Sequence, residues 1–344
     1  MNCPYCGESC DVKLSPQESA IAVCTRCINP IVLRPGDEEL EVAKVAGWQE
    51  IEEVAREGSI GAELIQSLPD MADHLPILPE VAHRVMEMVR DPEVAIEDLA
   101  AAISQDQVIA LKVLQLANSA LYGGLSEIVD VEAACARLGM KNVVNTVNAV
   151  VNGRLYVSQH PTYKEMMRKL WIHALATAHC SAELAIMRAE PRSDVYFTAG
   201  LLHDVGKVLI LDLVANEGQH KQTPLLANLR ESPELVDEIN ASYHPLVGLY
   251  ILQRWGLPAE FGTVAFCHGN VDALPSTDWL TLAHVVGLAS ALSNASGYGL
   301  DNHEPGLTSS PSAKYLALSD VRLAALRVDL EDKLQPLLEV SLTT

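Results

Sequence analysis

The stretch VYFTAGLLHDVGKVLIL, residues 195–211, decides the fold, because it is apolar at nearly every position and yet carries His203, Asp204 and Lys207. A segment that is apolar on all sides favours a helix that is buried on all sides. A buried carboxylate is very costly without a partner, so Asp204 must have one. Two partners are open at this point: Lys207, three residues further along one helix face, or a metal ion that takes both His203 and Asp204.

Three histidines elsewhere in the chain are candidates for completing such a metal site. His173 follows Trp171 by two residues, His244 precedes Pro245, and His268 follows Cys267, and each lies beside an apolar pattern. A single histidine in such a place is more often a core residue than a ligand, because histidine is frequently part-buried without a metal. Three such histidines together with an adjacent His-Asp pair favour a metal site more strongly than any single histidine does.

Outward from this stretch, the apolar period is helical almost everywhere after Pro79. No segment there alternates apolar and polar residues with period two, so we expect no sheet in this region. Abundant Ala, Leu and Val favour helix-on-helix packing. Helices are predicted over residues 81–89, 96–103, 111–117, 131–138, 143–155, 163–187, 194–214, 233–241, 245–255, 258–267 and 279–294, with an amphipathic helix over 323–334 at the end.

The net charge limits the partners that this chain can have. Asp and Glu number 45 against 24 Lys and Arg, which gives a formal charge of −21. Such a chain repels phosphate backbones and anionic membrane surfaces, so we expect neither non-specific nucleic-acid binding nor membrane association. No apolar run reaches the ~18 residues of a membrane span, and the N-terminus is unlike a secretory signal. These features predict a cytoplasmic protein.

The N-terminal cysteines form a separate pattern. Cys3, Cys6, Cys24 and Cys27 make two C-x-x-C pairs, the spacing of a zinc ribbon with tetrahedral thiolate ligands. A unit this small has almost no core, so a metal is its obvious source of stability. The alternatives are a disulfide pair, which a cytosolic setting disfavours, and a thioredoxin-like redox motif, which lacks a βαβ pattern. Cys10 is a spare thiol that could compete as a ligand.

These patterns predict a mainly α protein in four parts, in which a small zinc ribbon with short β-hairpins precedes a large helical domain. The parts are a zinc ribbon over 1–35, an acidic linker with a helix over 36–67, a helical domain over 68–300, and a loop with a C-terminal amphipathic helix over 301–344.

Two sets of motifs carry a family resemblance. The segment GLLHDVGK, residues 200–207, resembles the signature of the HD superfamily of metal-dependent phosphohydrolases. LPILP at 75–79, ISQD at 103–106, LANSALY at 116–122 and residues 134–142 resemble the front half of the HDOD family. The resemblance covers about residues 65 to 295 and implies a metal site whose ligands are His173, His203, Asp204, His244 and His268.

One residue departs from the superfamily pattern. HD phosphohydrolases close the metal shell with an aspartate on a late helix, and the equivalent position here holds Ser290. A hydroxyl is a poorer ligand than a carboxylate for a hard divalent cation. Asp278 and His284 lie on the same stretch but out of register, so neither is assigned as a substitute.

The resemblance implies a bacterial signal-transduction protein. Since the family is generally regarded as regulatory, we expect a non-catalytic or degenerate HDOD module that binds a signalling protein or a nucleotide-type ligand. The alternative is a metal-dependent phosphohydrolase or phosphodiesterase, with Asp204 and Lys207 catalytic and Fe, Mn or Mg at the site. A third interpretation is a vestigial core in which Lys207 pairs with Asp204 and the histidines bond one another.

Overall fold

A computed structural model describes the backbone of residues 20–23, 30–35, 40–44, 84–85, 88, 94–124, 127–158, 160–215, 229, 233–269, 271, 279–299, 307 and 310–342. The described strands are β1 (Ala20–Val23), β2 (Pro30–Pro35) and β3 (Leu40–Lys44). The described helices are α1 (Ile96–Ile103), α2 (Gln107–Ala117), α3 (Val131–Gly153), α4 (Pro161–Met187), α5 (Ser193–Leu202), α6 (Val205–Ala215), α7 (Pro233–Arg254), α8 (Ala259–Cys267), α9 (Leu280–Ala295), α10 (Pro311–Tyr315) and α11 (Asp320–Leu342). A short 3₁₀ helix, Arg154–Tyr156, follows α3.

The three strands pair antiparallel in the order β1-β2-β3. Ala20 pairs with Leu33, and Arg34 pairs with Glu41. The four cysteines of the proposed ribbon lie outside the described residues, so the zinc ribbon stays a prediction. A helix was expected in the linker over 36–67, and this was wrong for Leu40–Lys44, which form β3 and pair with β2. Residues 45–67 lie outside the part of the chain that the structure describes.

The chain divides into two compact units. The first unit is Met1–Leu75, Ser158–Tyr163 and His203–His284, and the second is Pro76–Val157, Lys164–Leu202 and Val285–Thr344. Within the first unit, α7 packs against both α6 and α8. α6, which begins directly after Asp204, is thus packed against α7.

The second unit is built around α3, which contacts α1, α2 and α5. The C-terminal helix α11 packs on α2 and α3 through leucines at helical spacing, all at most 4% exposed: Leu323, Leu326, Leu330 and Leu334. The final amphipathic helix predicted from the sequence is therefore confirmed as a helix, and its apolar stripe faces the core.

The predicted break at Gly139 is present. α3 runs through this position, but Gly139 has φ +74° and interrupts the helical backbone there. A left-handed conformation of this kind costs a residue with a Cβ about 1 kcal/mol or more, and glycine avoids that cost.

Two helix predictions were wrong. The single helix over 194–214 is two helices, α5 and α6, with His203 and Asp204 in the turn between them. Consecutive residues of a regular helix face different directions, so a turn is needed for these two side chains to meet. Conversely, α7 continues through Pro245, where two helices were predicted. Proline starts helices often, but here it lies within one and removes one backbone donor.

Candidate metal centre

Asp204 lies in the turn between α5 and α6 and is 1% exposed. Burial alone would raise the pKa of its carboxyl group. The charges of His203 and Lys207, and a hydrogen bond from His268, outweigh burial and hold the pKa of Asp204 well below its usual value. The group is therefore a buried carboxylate, and its surroundings must supply the compensating charge.

The first partner is on the same helix face. The Lys207 Nζ atom lies 2.8 Å from Asp204 Oδ2, and the lysine side chain is 22% exposed. The ion pair that the sequence allowed is thus present, and it occupies one carboxylate oxygen. His203 Nε2 lies 3.4 Å from that same oxygen.

The second oxygen, Oδ1, faces two imidazoles from neighbouring helices. His268 Nε2, at the end of α8, lies 3.3 Å away, and His244 Nε2, on α7, lies 3.6 Å away. The rings are also in contact with one another, since His268 makes an edge-on contact with His203 at a centroid distance of 4.8 Å. Within the first unit, the structure therefore brings together four residues implied by the resemblance: His203, Asp204, His244 and His268.

The backbone determines which nitrogen of each ring carries the proton. His244 Nδ1 contacts the carbonyl oxygen of Asn240, and His268 Nδ1 lies 3.1 Å from the carbonyl oxygen of Ala265. A carbonyl oxygen can only accept a hydrogen bond, so Nδ1 of each ring must be the donor. Burial lowers the pKa of His244 to about 4, which makes this imidazole neutral. Nδ1 then holds the ring proton, so Nε2 of His244 presents a lone pair.

The neutral His244 ring points a lone pair at a negative charge. Its Nε2 directs electron density at Asp204 Oδ1, an arrangement that repels unless a cation lies between them. The ligand atoms of Asp204, His244 and His268 all lie within 4.8 Å of one another. A carbonyl-oriented imidazole with a free Nε2 is the usual state of a metal-binding histidine. The cluster therefore has a donor set that fits a divalent metal ion such as Zn²⁺, Fe²⁺ or Mn²⁺.

His173 belongs to the second unit and has its own set of bonds there. It is 3% exposed, and its Nδ1 lies 3.0 Å from the carbonyl oxygen of Tyr298. Its Nε2 lies 3.2 Å from the Ser290 hydroxyl. Since the carbonyl takes the Nδ1 proton, the hydroxyl donates to Nε2. Ser290 thus lies against His173. The role of His173 as a metal ligand stays a prediction.

Two further residues were considered from the sequence. His284, which was not assigned as a substitute ligand, is 6% exposed at the end of the first unit. Asp278 lies outside the described residues.

Sequence reasoning missed the groups that orient the imidazoles. The carbonyl oxygens of Asn240, Ala265 and Tyr298 bond the Nδ1 atoms of His244, His268 and His173. Every residue has a carbonyl, so no side-chain pattern could single these three out. In the two helix-borne cases, the signal was only the spacing: the carbonyl comes three or four residues before the histidine.

A family model and a solved structure that are both described as HDOD domains are similar to this chain. The family model described as the HDOD domain matches residues 75–271. The crystal structure of an HDOD domain protein of unknown function from Geobacter sulfurreducens superposes with a TM-score of 0.62, at 22% identity over 80% of this chain and 98% of that one. A protein from Shewanella amazonensis, provisionally named a metal-dependent phosphohydrolase, superposes with a TM-score of 0.53 at 20% identity, over 78% and 96% of the two chains. At these identities the likeness establishes the fold.

One curated protein is also similar in sequence. An uncharacterized protein of Treponema pallidum is 30% identical over 217 residues, which are 62% of this chain. The match spans 41% of that relative's length.

Among the described residues, none of the helices combines the length and the apolar character that crossing a membrane requires.

Proposed function

This chain belongs to the HDOD domain family, and on that premise we propose that it is a regulatory signal-transduction protein whose helical domain holds one divalent metal ion. The domain then binds a partner protein or a small nucleotide-type ligand without turning it over. The observation that carries the proposal is the convergence of the His244 and His268 Nε2 atoms on Asp204 Oδ1. A vestigial apolar core gives no reason for the neutral His244 imidazole to direct a lone pair at a carboxylate.

A metal at this position would act on the fold of the first unit. Asp204 precedes α6, His244 is on α7 and His268 ends α8, so one ion would link three helices. A ligand that binds only the folded state stabilises it, by about 4 kcal/mol at a free concentration 1,000 times its dissociation constant. Metal occupancy would therefore couple to the packing of α7 against its two neighbours, which suits a regulatory module.

Ser290 supports the non-catalytic side of the proposal. HD phosphohydrolases carry a carboxylate at the position that Ser290 takes here, and its hydroxyl donates to His173 instead. A hydroxyl adds no negative charge to a metal shell.

A second candidate function is phosphoester hydrolysis, and Lys207 favours it. Its ammonium group pairs with Asp204 and is still 22% exposed, so it could hold a phosphate oxygen beside the metal. A bound divalent metal would lower the pKa of a water molecule and polarise the phosphoryl group. Asp204 would hold the metal and Lys207 would orient the anion.

Metal content and turnover separate the two functions. The full chain is purified without chelator, and metal is counted per chain by mass spectrometry. We expect one ion beyond those bound by the N-terminal cysteines, lost in Asp204→Asn and kept in Asp212→Asn, the matched change on α6. The chain is also assayed for turnover of a chromogenic phosphodiester with Mn²⁺. Turnover that His203→Ala or Asp204→Asn abolishes would refute the regulatory proposal and favour phosphoester hydrolysis. Equal metal content in Asp204→Asn and wild type would refute the proposed site.

We also propose that residues 1–35 hold a structural Zn²⁺ through Cys3, Cys6, Cys24 and Cys27, and dock a second partner protein. The support is the spacing of the two C-x-x-C pairs in a segment too short for its own core. Replacing Cys24 and Cys27 with serine should remove one zinc per chain and leave the count at Asp204 unchanged. A zinc count that is unaffected by this replacement would refute the ribbon.

A further inference from the structure

The helices α6 and α7 touch backbone to backbone beside the candidate metal centre. A Cβ atom placed on Gly206 would overlap the carbonyl oxygen of His244 and lie 2.8 Å from Gly248 N and 2.9 Å from His244 C. Gly206 follows Asp204 by two residues, so the contact joins the carboxylate's own segment to the turn of α7 that carries a ligand histidine. No side chain of any size fits between them.

Gly248 lies on the other side of this contact. A Cβ on Gly248 would lie 3.3 Å from Ala265 Cβ and 3.5 Å from Gly206 N. The two glycines therefore face one another across α6 and α7, and α8 packs against the second of them. Glycine at both positions lets the backbones approach more closely than helices that carry side chains at their crossing.

The crossing fixes the distance between two of the ligands. Carbon atoms repel inside about 3.5 Å, so a methyl group on Gly206 would force the His244 turn back by roughly 1 Å. His244 Nε2 already stands 3.6 Å from Asp204 Oδ1. Metal–ligand distances tolerate only about 0.2 Å of error, so a displacement of this size removes His244 from a shared ion.

We propose that Gly206 is a positioning residue for the metal centre: it sets the separation of Asp204 and His244, and with it the affinity for a divalent cation. Gly248 supports the same contact from α7. This inference rests on the proposed metal site and deepens it. The backbone crossing adds a constraint that the identity of the ligands does not contain, because every ligand residue is retained when Gly206 is replaced.

The test is a graded set of glycine-to-alanine variants in the full chain. Gly206→Ala meets backbone atoms, Gly248→Ala only grazes its neighbours, and Gly262→Ala meets the end of the Leu249 side chain at 2.9 Å. The Leu249 side chain can move aside, so Gly262→Ala is the control for adding a methyl group within the first unit. Mn²⁺ is the probe, measured by electron paramagnetic resonance, because it prefers oxygen and nitrogen ligands to the N-terminal thiolates.

The expected result is a graded loss of Mn²⁺ affinity. Displacing one ligand should weaken binding by about 10- to 100-fold in Gly206→Ala, as loss of supporting contacts does at other metal sites. The loss should be a few-fold in Gly248→Ala and absent in Gly262→Ala. Wild-type affinity in a folded Gly206→Ala would overturn the proposal. If Gly206→Ala does not fold, the Gly248→Ala affinity decides, and an unchanged value there overturns the proposal equally.

A readout without metal separates failure of this inference from failure of the metal site. Histidine side-chain ¹⁵N spectra of the metal-free chain report the tautomer and the Nδ1 bond of His244. Gly206→Ala should shift the His244 signals, and Gly262→Ala should leave them in place. If wild type binds no Mn²⁺ but these shifts appear, the metal proposal fails and the positioning role stands. Unshifted His244 signals in Gly206→Ala refute the positioning role.

Discussion

His179 should make the folded chain sensitive to mild acid. It lies on α4 with its side chain 16% exposed, and its Nε2 is 3.8 Å from Glu183 Oε1, which also pairs with Lys333 Nζ at 2.8 Å. Burial lowers the pKa of His179 from its usual 6.5 to about 4, and the nearby charges of Glu183 and Lys333 act in opposite directions. The folded chain therefore keeps this imidazole neutral at pH values where an exposed histidine is charged.

The sign and size of the effect follow from proton linkage. Between pH 6.5 and 4, the unfolded chain binds a proton at His179 that the folded chain does not bind, so stability falls as the pH falls. The full contribution is present above pH 6.5. A pKa lowered to about 4 corresponds to about 3 kcal/mol of stability lost by pH 4.

The measurement is urea unfolding of wild type and His179→Gln at pH 7 and pH 4.5, followed by circular dichroism. Glutamine cannot be protonated, so the variant should lose about 2–3 kcal/mol less than wild type between the two pH values. His160→Gln removes an exposed histidine instead and is the control. An identical pH dependence in wild type and His179→Gln would refute the reasoning.

Three further predictions concern residues at helix ends. Asp106 caps the N-terminus of α2, where its Oδ1 accepts hydrogen bonds from Val108 N at 2.9 Å and Ile109 N at 3.1 Å. Asp106→Ala should lower the free energy of unfolding by about 1 kcal/mol, and an unchanged urea midpoint would contradict this role. Ala189 lies in the turn after α4 with φ +57°, so Ala189→Gly should raise the thermal midpoint by removing about 1 kcal/mol of strain. Gly256 has φ +67°, so Gly256→Ala should lower the thermal midpoint by adding a similar strain. Thermal midpoints equal to that of wild type in both variants would contradict the argument.

Much of the helical part was predictable from the sequence because apolar spacing records which faces are buried. The leucine stripe from Leu323 to Leu334 gave the last helix, and Gly139 gave the interruption of α3. The His-Asp pair in an apolar segment gave the centre of the candidate site, since a buried charge needs partners. Each of these predictions rests on a free-energy cost that can be assigned from residue type alone: exposure of an apolar side chain, a positive φ, or burial of a charge.

The rest depended on geometry that sequence spacing does not record. The turn at His203 and Asp204 lies inside an unbroken apolar run, so nothing in the pattern marks it. Pro245 has the same chemistry at a helix start and within a helix, and only packing against α6 and α8 shows which applies. Likewise, Gly206 is one of many glycines until the backbone of α7 is seen against it.

The packing of α11 bears on how this protein is divided for experiments. The family match stops at residue 271, yet the leucines of α11 cover α2 and α3 within the second unit. A recombinant fragment that ends at the limits of the family match would lack α11 and would expose an apolar surface that favours self-association. Fragments meant to isolate the HDOD domain should retain the chain through Leu342, because the folded unit extends well past the last residue of the family match.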